Sequence, residues 1–224
     1  LLETTDTDKV VYLDPDIAVF NSLQPLTNLL DRHAILLTPH QTRPATGLGA
    51  IVDNEICSLK HGVYNLGFFA VRREGQGRAF AEWWRERLLH FCYDAIPDGL
   101  FTDQRWCDLA PAFFDDIKIL RCPEYNVATW NLDHRSVTLS DRGTVLVDGQ
   151  PLRFYHFTGY DSGAGPVMVN KYAAEEHIVR DLWEWYSGEI QRLGQSTLGS
   201  LPWTYAFFAN GERITPPMRR LYRS

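Results

Sequence analysis

The sequence is short of positive charge. Its 22 lysines and arginines stand against 28 aspartates and glutamates, a formal net charge of −6. A nucleic-acid reader needs a cationic face to displace counterions from phosphates, so this balance excludes nucleic acid as a partner. It offers little to an anionic lipid surface either, except where Arg213, Arg219, Arg220 and Arg223 gather near the C-terminus, a cluster that reads as a solvated tail. Only four cysteines are present, Cys57, Cys92, Cys107 and Cys122, and none forms a Cys-x-x-Cys pair. That scatter excludes a zinc ribbon and a disulfide framework, and it fits a reducing compartment. No apolar run approaches the ~18 residues that span a bilayer. No basic stretch leads into a short apolar one as in a secretion signal. No transmembrane segment is therefore expected, and a cytoplasmic location is the default. No internal repeat is visible.

What is present suits one folded domain. Hydrophobic residues make up 45% of the chain and charged residues 22%, enough apolar side chain to bury a core beneath an ordinary surface. Two short apolar runs, Lys9 to Leu13 and Ala34 to Thr38, have the pattern of strands covered on both faces. Further strands are predicted at Leu66 to Val71, Ile117 to Leu120, Val145 to Val147 and Leu152 to Phe157, with Asp148-Gly149 joining the last two as a hairpin. One helix is predicted from Arg78 to Tyr93, with Phe80, Trp84, Leu88 and Phe91 on a stripe. Another is predicted from Ala173 to Leu193, with Ile178, Leu182, Tyr186, Ile190 and Leu193 aligned and Gly194 ending it. Strands interleaved with helices give an α/β class, a mixed sheet flanked by helices. From Gln195 the chain turns loop-rich and then arginine-rich, which sets residues 195–224 apart as an extension. The Lys9 to Leu13 run has a central strand's composition yet almost no chain before it. The expectation is a domain that lacks its first strands and leaves one side of this strand open.

The chemistry concentrates at Asp14-Pro15-Asp16, directly behind that first strand. Residues two apart on an extended chain project the same way, and Pro15 favours an extended Asp14. Two carboxylates aimed together repel unless a cation lies between them. Hard divalent ions such as Mg²⁺ or Mn²⁺ take such oxygen ligands and keep positions free for phosphate. A turn with two exposed aspartates is the plainer alternative. A second candidate is His156 in Phe154-Tyr155-His156-Phe157, which precedes a glycine-rich exit from Gly159 to Gly165 where backbone can approach a ligand closely. Asn126 and Trp130 lie in a polar, aromatic loop suited to a sugar face. His40, after Thr38-Pro39, follows a strand end from which it could reach the same cleft, and it reads better as a surface histidine.

Five motifs then occur in order: Asp14-Pro15-Asp16, Tyr64-Asn65-Leu66-Gly67-Phe68-Phe69, Thr102-Asp103-Gln104, Tyr125-Asn126 and His156-Phe157-Thr158-Gly159. This succession resembles the retaining GT-A glycosyltransferases of the glycogenin and bacterial galactosyltransferase type, family 8, over about Lys9 to Tyr160. The resemblance implies a GT-A domain over residues 1–194, with its first nucleotide-binding strands absent. It implies a nucleotide-sugar donor, a UDP-sugar favoured, whose diphosphate is held by Mn²⁺ or Mg²⁺ on Asp14, Asp16 and His156. Tyr12, Asn65, Gly67, Asn126 and Gly159 would contact substrate, and Asp103 and Gln104 would lie beside the reacting anomeric carbon. The acceptor would be a glycan, a lipid-linked glycan or a protein. Two departures stand out. The family carries Lys-Pro-Trp soon after the histidine, where this chain reads Tyr160-Asp161-Ser162-Gly163, with Lys171 as a substitute at different spacing. The family's base-binding strands precede its Asp-x-Asp, and residues 1–9 cannot form a βαβ unit of about 30 residues. Nucleotide affinity is expected to be weak for that reason.

Two alternatives accompany this reading. One is a binding module of the same fold without turnover. The other is a haloacid-dehalogenase-type phosphatase, whose Asp-x-Asp-x-Thr or Val is departed from by Ala18 and which gives Asn65, Gly67 and His156 no role. For Asp103 there is also a structural alternative, in which Thr102 or Asp103 caps the helical turn through Trp106.

Overall fold

Ile35, Leu36 and Leu37 have neighbours on both sides, and every residue of their strand is buried. In the computed structural model, which describes residues 1–173 and 177–223, a mixed sheet forms in the order β1 (Lys9–Leu13), β4 (Tyr64–Arg72), β3 (Ile35–Pro39), β7 (Ile117–Ile119). β4 runs antiparallel to both β1 and β3, while β3 and β7 are parallel. The α/β class and the mixed sheet read from sequence are both present. Despite its central-strand composition, β1 is an edge strand, paired only with β4 among the described residues, and its side chains are half-buried or exposed.

The sheet has an apolar layer on each face, as alternating side chains require. Ile35, Leu37 and Val71 meet Phe80, Trp83 and Trp84 of α4 (Gln76–Phe91) on one side. Leu36, Phe68 and Ala70 meet Leu26 and Leu30 around α1 (Gln24–Leu29), with Tyr125 and Phe154, on the other. Phe68 and Phe154 stack with centroids 5.3 Å apart. Each such fully buried ring contributes about 1.5–3 kcal/mol. Phe80 is the buried anchor of the predicted stripe on α4, whereas Phe91 at its end is exposed.

Three smaller pieces of strand surround the sheet. β2 (Ile17–Val19) pairs antiparallel with β11 (Phe154–His156), setting His156 opposite Ile17. β5 (Tyr93–Ala95) and β6 (Leu100–Thr102) form a hairpin. β8 (Val137–Leu139), β9 (Val145–Val147) and β10 (Gln150–Pro151) form a meander. Asp148 and Gly149 do make the predicted turn, with φ of 48° and 79°. The turn leads to β10, however, and not to the strand carrying His156. Residues 48–61 form an unpredicted helical wall: α2 (Leu48–Ala50) and α3 (Ile56–His61), joined by a π-helical turn at Ile51–Glu55. After the short α5 (Ala110–Phe113) comes α6 (Ala164–Tyr172), also unpredicted.

The predicted helix from Ala173 begins in structure as α7 (His177–Arg192), and residues 174–176 lie outside the described residues. Its buried positions are Val179, Leu182 and Trp183, a stripe one step from the expected one. The chain divides into two compact units, 1–181 and 182–224. Within the second, α8 (Gln195–Leu198) and α9 (Pro216–Arg223) are short, a bridge links Phe207 and Arg213, and the Arg219 guanidinium lies 5.1 Å above the Trp203 ring. Among the described residues no helix is long and apolar enough to cross a membrane. All four cysteines are free thiols.

Candidate functional site

Asp14 and Asp16 are brought together by a turn, which replaces the extended alternation expected from sequence. β1 ends at Leu13, the Ile17 N–H donates to the Asp14 carbonyl at 3.0 Å, and β2 starts at Ile17. The ladder between β2 and β11 then fixes the third member. His156 pairs with Ile17, and the next residue, Phe157, donates its N–H to the Asp16 carbonyl at 2.9 Å. His156 Nε2 therefore lies 3.1 Å from an Asp16 oxygen and 3.9 Å from an Asp14 oxygen. One ligand atom from each of the three residues falls within 4.8 Å of the other two. The histidine is buried, and both carboxylates are about one-third exposed.

This donor set fits a hard divalent cation: two oxygens, one imidazole and an open side toward solvent. Gly67 supplies a second sign of fit. Between the pairs Pro39–Tyr64 and Leu37–Phe69 the register of β3 against β4 shifts, and Asn65 and Gly67 sit in the resulting bulge. Bulges re-aim side chains next to functional sites. A Cβ at Gly67 would lie 2.4 Å from His156 Cε1 and 2.9 Å from Asn65 Oδ1. Only glycine leaves His156 room to face the aspartates.

Burial pushes the Asp16 carboxyl upward, but the hydrogen bond and charge of His156, when its ring is protonated, outweigh it and hold the group below the usual carboxylate range. The Tyr12 hydroxyl donates to Asp14 at 2.7 Å, and that bond, with burial, pushes the phenol up to about 12. Tyr12 thus steadies a carboxylate from outside the cleft.

The three residues stand at one end of a cleft of about 420 Å³, a size suited to a small ligand. Its lining includes Phe101 of β6 and Asp103 just after it, Asp53 and Asn54 from the π-helical turn, and His40, Asn65 and Trp130. Asp14, Asp16, Asp53 and Asp103 line it, and no lysine or arginine does among the described residues. The side-chain amide of Asn54 and the indole N–H of Trp130 are buried without a protein partner among the described residues.

The remaining predicted residues separate into those that face the cleft and those that support it. Asp103 faces it and accepts a hydrogen bond from Thr102 Oγ1 at 3.0 Å. It caps nothing: the turn over Arg105–Leu109 begins at Gln104 with no side-chain cap. Gln104 reaches the cleft wall, yet its amide is engaged at both ends, accepting from the Leu66 N–H at 3.1 Å and donating to the His61 carbonyl at 3.0 Å. Asn126 is fully buried behind Asn65, donating to Asn65 Oδ1 at 3.1 Å. Gly159 has φ 75°, and a Cβ there would lie 2.8 Å from the Gly165 N. Its role is to close the turn into α6. Lys171 is exposed and paired with Asp53, whose carboxyl it holds below the ordinary value.

His40 is a correction to the surface reading. It packs edge-on to Trp130 at 5.1 Å and lines the cleft. The signal in sequence was its place after Pro39 at the end of a buried strand. Burial pushes its imidazole down to about 4 from 6.5. The unfolded ring therefore takes its proton first as pH falls. His40's contribution to stability is complete above 6.5, falls between 6.5 and 4, and falls no further below that. The shift corresponds to at most about 3 kcal/mol, less where the ring edge meets water. Urea unfolding of wild type and His40→Gln at pH 7.5 and pH 5 is expected to show the wild-type advantage shrinking at the lower pH. Equal slopes with pH would show that the ring is not held neutral.

No family model matches the sequence, and no solved structure matches it. Two curated proteins of Bacillus subtilis (strain 168) are similar. The uncharacterized protein YfnF is 30% identical over 157 residues, 69% of this chain and 50% of YfnF. The uncharacterized protein YfnD is 25% identical over 157 residues, 69% of this chain and 48% of YfnD. The chain spans about half the length of the curated relatives it matches.

Proposed function

We propose that this chain is the metal-dependent, donor-binding part of a retaining glycosyltransferase that takes a nucleotide-diphosphate sugar, with a UDP-sugar favoured. The observation that carries the reading is the convergence of Asp14, Asp16 and His156 at one end of the cleft, their ligand atoms within 4.8 Å of one another. A Mn²⁺ or Mg²⁺ ion held there would supply Lewis-acid stabilisation of charge growing on a departing diphosphate. The cleft's own charge supports the same reading. With Asp53 paired to Lys171, Asp14, Asp16 and Asp103 remain in a lining that holds no lysine or arginine and repel a free diphosphate, so an anionic donor is favoured with a cation.

The other cleft residues suit the sugar. Asp103 offers a carboxylate to hydroxyls or to an oxocarbenium-like carbon. Trp130, in the cleft lining, offers apolar surface to a sugar face. The acceptor would be a glycan, a lipid-linked glycan or a protein. The engaged amide of Gln104 favours a second reading, a module that binds donor without turnover, because it leaves Asp103 as the reactive group of the pair.

Thermal denaturation with UDP-sugars, with and without Mn²⁺, tests the proposal. A donor present at 100 times its Kd stabilises the folded state by about 2.7 kcal/mol. The expected result is a raised Tm with donor and Mn²⁺ together, and none with donor in EDTA. Donor binding of equal strength in EDTA would sink the metal reading. Slow donor hydrolysis in the metal-loaded state supports an enzyme, and binding without hydrolysis supports the module.

A further inference from the structure

Behind His156 lies a chain of polar groups that reaches His40. His156 Nδ1 is 3.2 Å from Asn65 Oδ1, and Asn65 Nδ2 is 3.3 Å from His40 Nε2. The other ring nitrogen of His40, Nδ1, is 3.2 Å from the Val63 carbonyl. That carbonyl also accepts the His40 backbone N–H at 3.0 Å, and the Val63 N–H is bonded to Asp108 at 2.7 Å. A carbonyl oxygen can only accept, so it assigns the proton of a neutral His40 ring to Nδ1. Nε2 then carries a lone pair and takes a hydrogen bond from the Asn65 NH₂.

That contact sets the amide. With its NH₂ toward His40, Asn65 turns its oxygen toward His156, where it also accepts from Asn126 Nδ2. Asn126 is in turn held by Asn131, whose Nδ2 donates to the Asn126 carbonyl at 3.0 Å and to the His40 carbonyl at 3.2 Å. An amide oxygen facing His156 Nδ1 requires a proton there, so that in the neutral ring the Nε2 lone pair is directed at Asp14 and Asp16. Histidines that bind metals have their other N–H anchored in this way, which fixes tautomer and ring orientation.

We propose that His40 is a positioning residue which, through Asn65, holds His156 in the Nδ1–H tautomer and so presents its Nε2 lone pair to the two aspartates. The relay rests on the metal reading for its purpose, and not for its existence. It sets three electron-rich atoms against one another, an arrangement that a cation relieves and that a wrong tautomer, donating Nε2–H to Asp16, would close. Removal of such an anchor lowers metal affinity by roughly 10- to 100-fold.

Long-range ¹H–¹⁵N correlation spectra of histidine-labelled, metal-free protein at pH 8.5 report the tautomer directly. In wild type, His156 is expected to show a protonated-type Nδ1 and a pyridine-type Nε2. In His40→Phe it is expected to shift toward Nε2–H, with Mn²⁺ affinity, read by calorimetry, falling at least tenfold. His40→Gln places an acceptor oxygen near the former Nε2, and should restore the tautomer and most of the affinity. An Nε2–H tautomer in wild type would overturn the relay even if no variant folded, and so would an unchanged tautomer in folded His40→Phe. The spectra decide the relay without metal. Failure of wild type to bind Mn²⁺ while the tautomers behave as stated would count against the metal reading alone.

Discussion

Asp16→Asn is expected to lower Mn²⁺ affinity at least 100-fold, about 2.7 kcal/mol, while leaving the fold intact. The substitution keeps shape and removes charge. The hydrogen bond and charge of a protonated His156 outweigh burial and hold the Asp16 carboxyl below the usual carboxylate range. Its Oδ1 is the carboxylate oxygen nearest His156 Nε2, at 3.1 Å. The contact that ties the turn to β11 uses the Asp16 backbone carbonyl, which the variant retains. Removing one of two adjacent carboxylates relieves repulsion in the metal-free protein, and this offsets part of the stability lost with the charge contact to His156, so Tm in EDTA should fall only slightly. His156→Ala is expected to lose metal binding as well, with some loss of stability because the ring is buried. Calorimetric Mn²⁺ titration beside denaturation in EDTA separates these effects. Unfolding of both variants would instead identify the cluster as a structural polar network.

Which parts of this arrangement can be read from sequence follows from the range of the interactions involved. β1 and the aspartate pair were legible, because an apolar run that stops at Asp14-Pro15-Asp16 is local information. The turn that unites the two aspartates was not legible, because it depends on Ile17–Val19 forming a strand. Three residues carry too little pattern to announce one. His156 was legible as a candidate from its aromatic flanks, but its distance to Asp16 is set by the register between β2 and β11, far apart in the chain. The helical wall at residues 48–61 carries no local signal for a related reason. Its π-helical turn breaks the 3.6-residue period and turns Asp53 and Asn54 toward the cleft.

The supporting residues were harder still. Asn65, Asn126 and Gly67 entered as substrate contacts by resemblance, yet the structure gives Asn126 no face on the cleft and Gly67 a steric duty. His40 and Asn131 lie far apart in sequence and meet through a single hydrogen bond at 3.2 Å. Hydrogen bonds between polar side chains at such separations leave no periodicity. The only local hint was chemical, in that buried asparagines require partners. Lys171 shows the opposite case, a residue with the right chemistry for a diphosphate whose charge is engaged elsewhere, at Asp53.

Gly67→Ala adds one methyl group and is expected to affect both fold and site. The new Cβ would lie 2.4 Å from His156 Cε1, 2.7 Å from His156 Nδ1 and 2.9 Å from Asn65 Oδ1, inside any tolerated contact. Neither neighbour can yield freely. His156 is held in the β2–β11 ladder and Asn65 by His40 and Asn126. The Gly67 carbonyl, moreover, accepts the Asp14 N–H at 2.8 Å, so a backbone shift at Gly67 pulls on Asp14. Overpacking of this kind costs roughly 1–3 kcal/mol, a Tm loss of several degrees for a chain this size. Metal affinity should fall at least tenfold, because His156 leaves its line to the aspartates. Gly188→Ala on α7, where an added Cβ meets nothing within 4 Å, is the control and should be neutral or stabilising by about 1 kcal/mol. Urea unfolding in EDTA reads the first effect and Mn²⁺ titration the second. Wild-type stability and affinity in Gly67→Ala would mean that the bulge absorbs the methyl group and that glycine is not what makes room for His156.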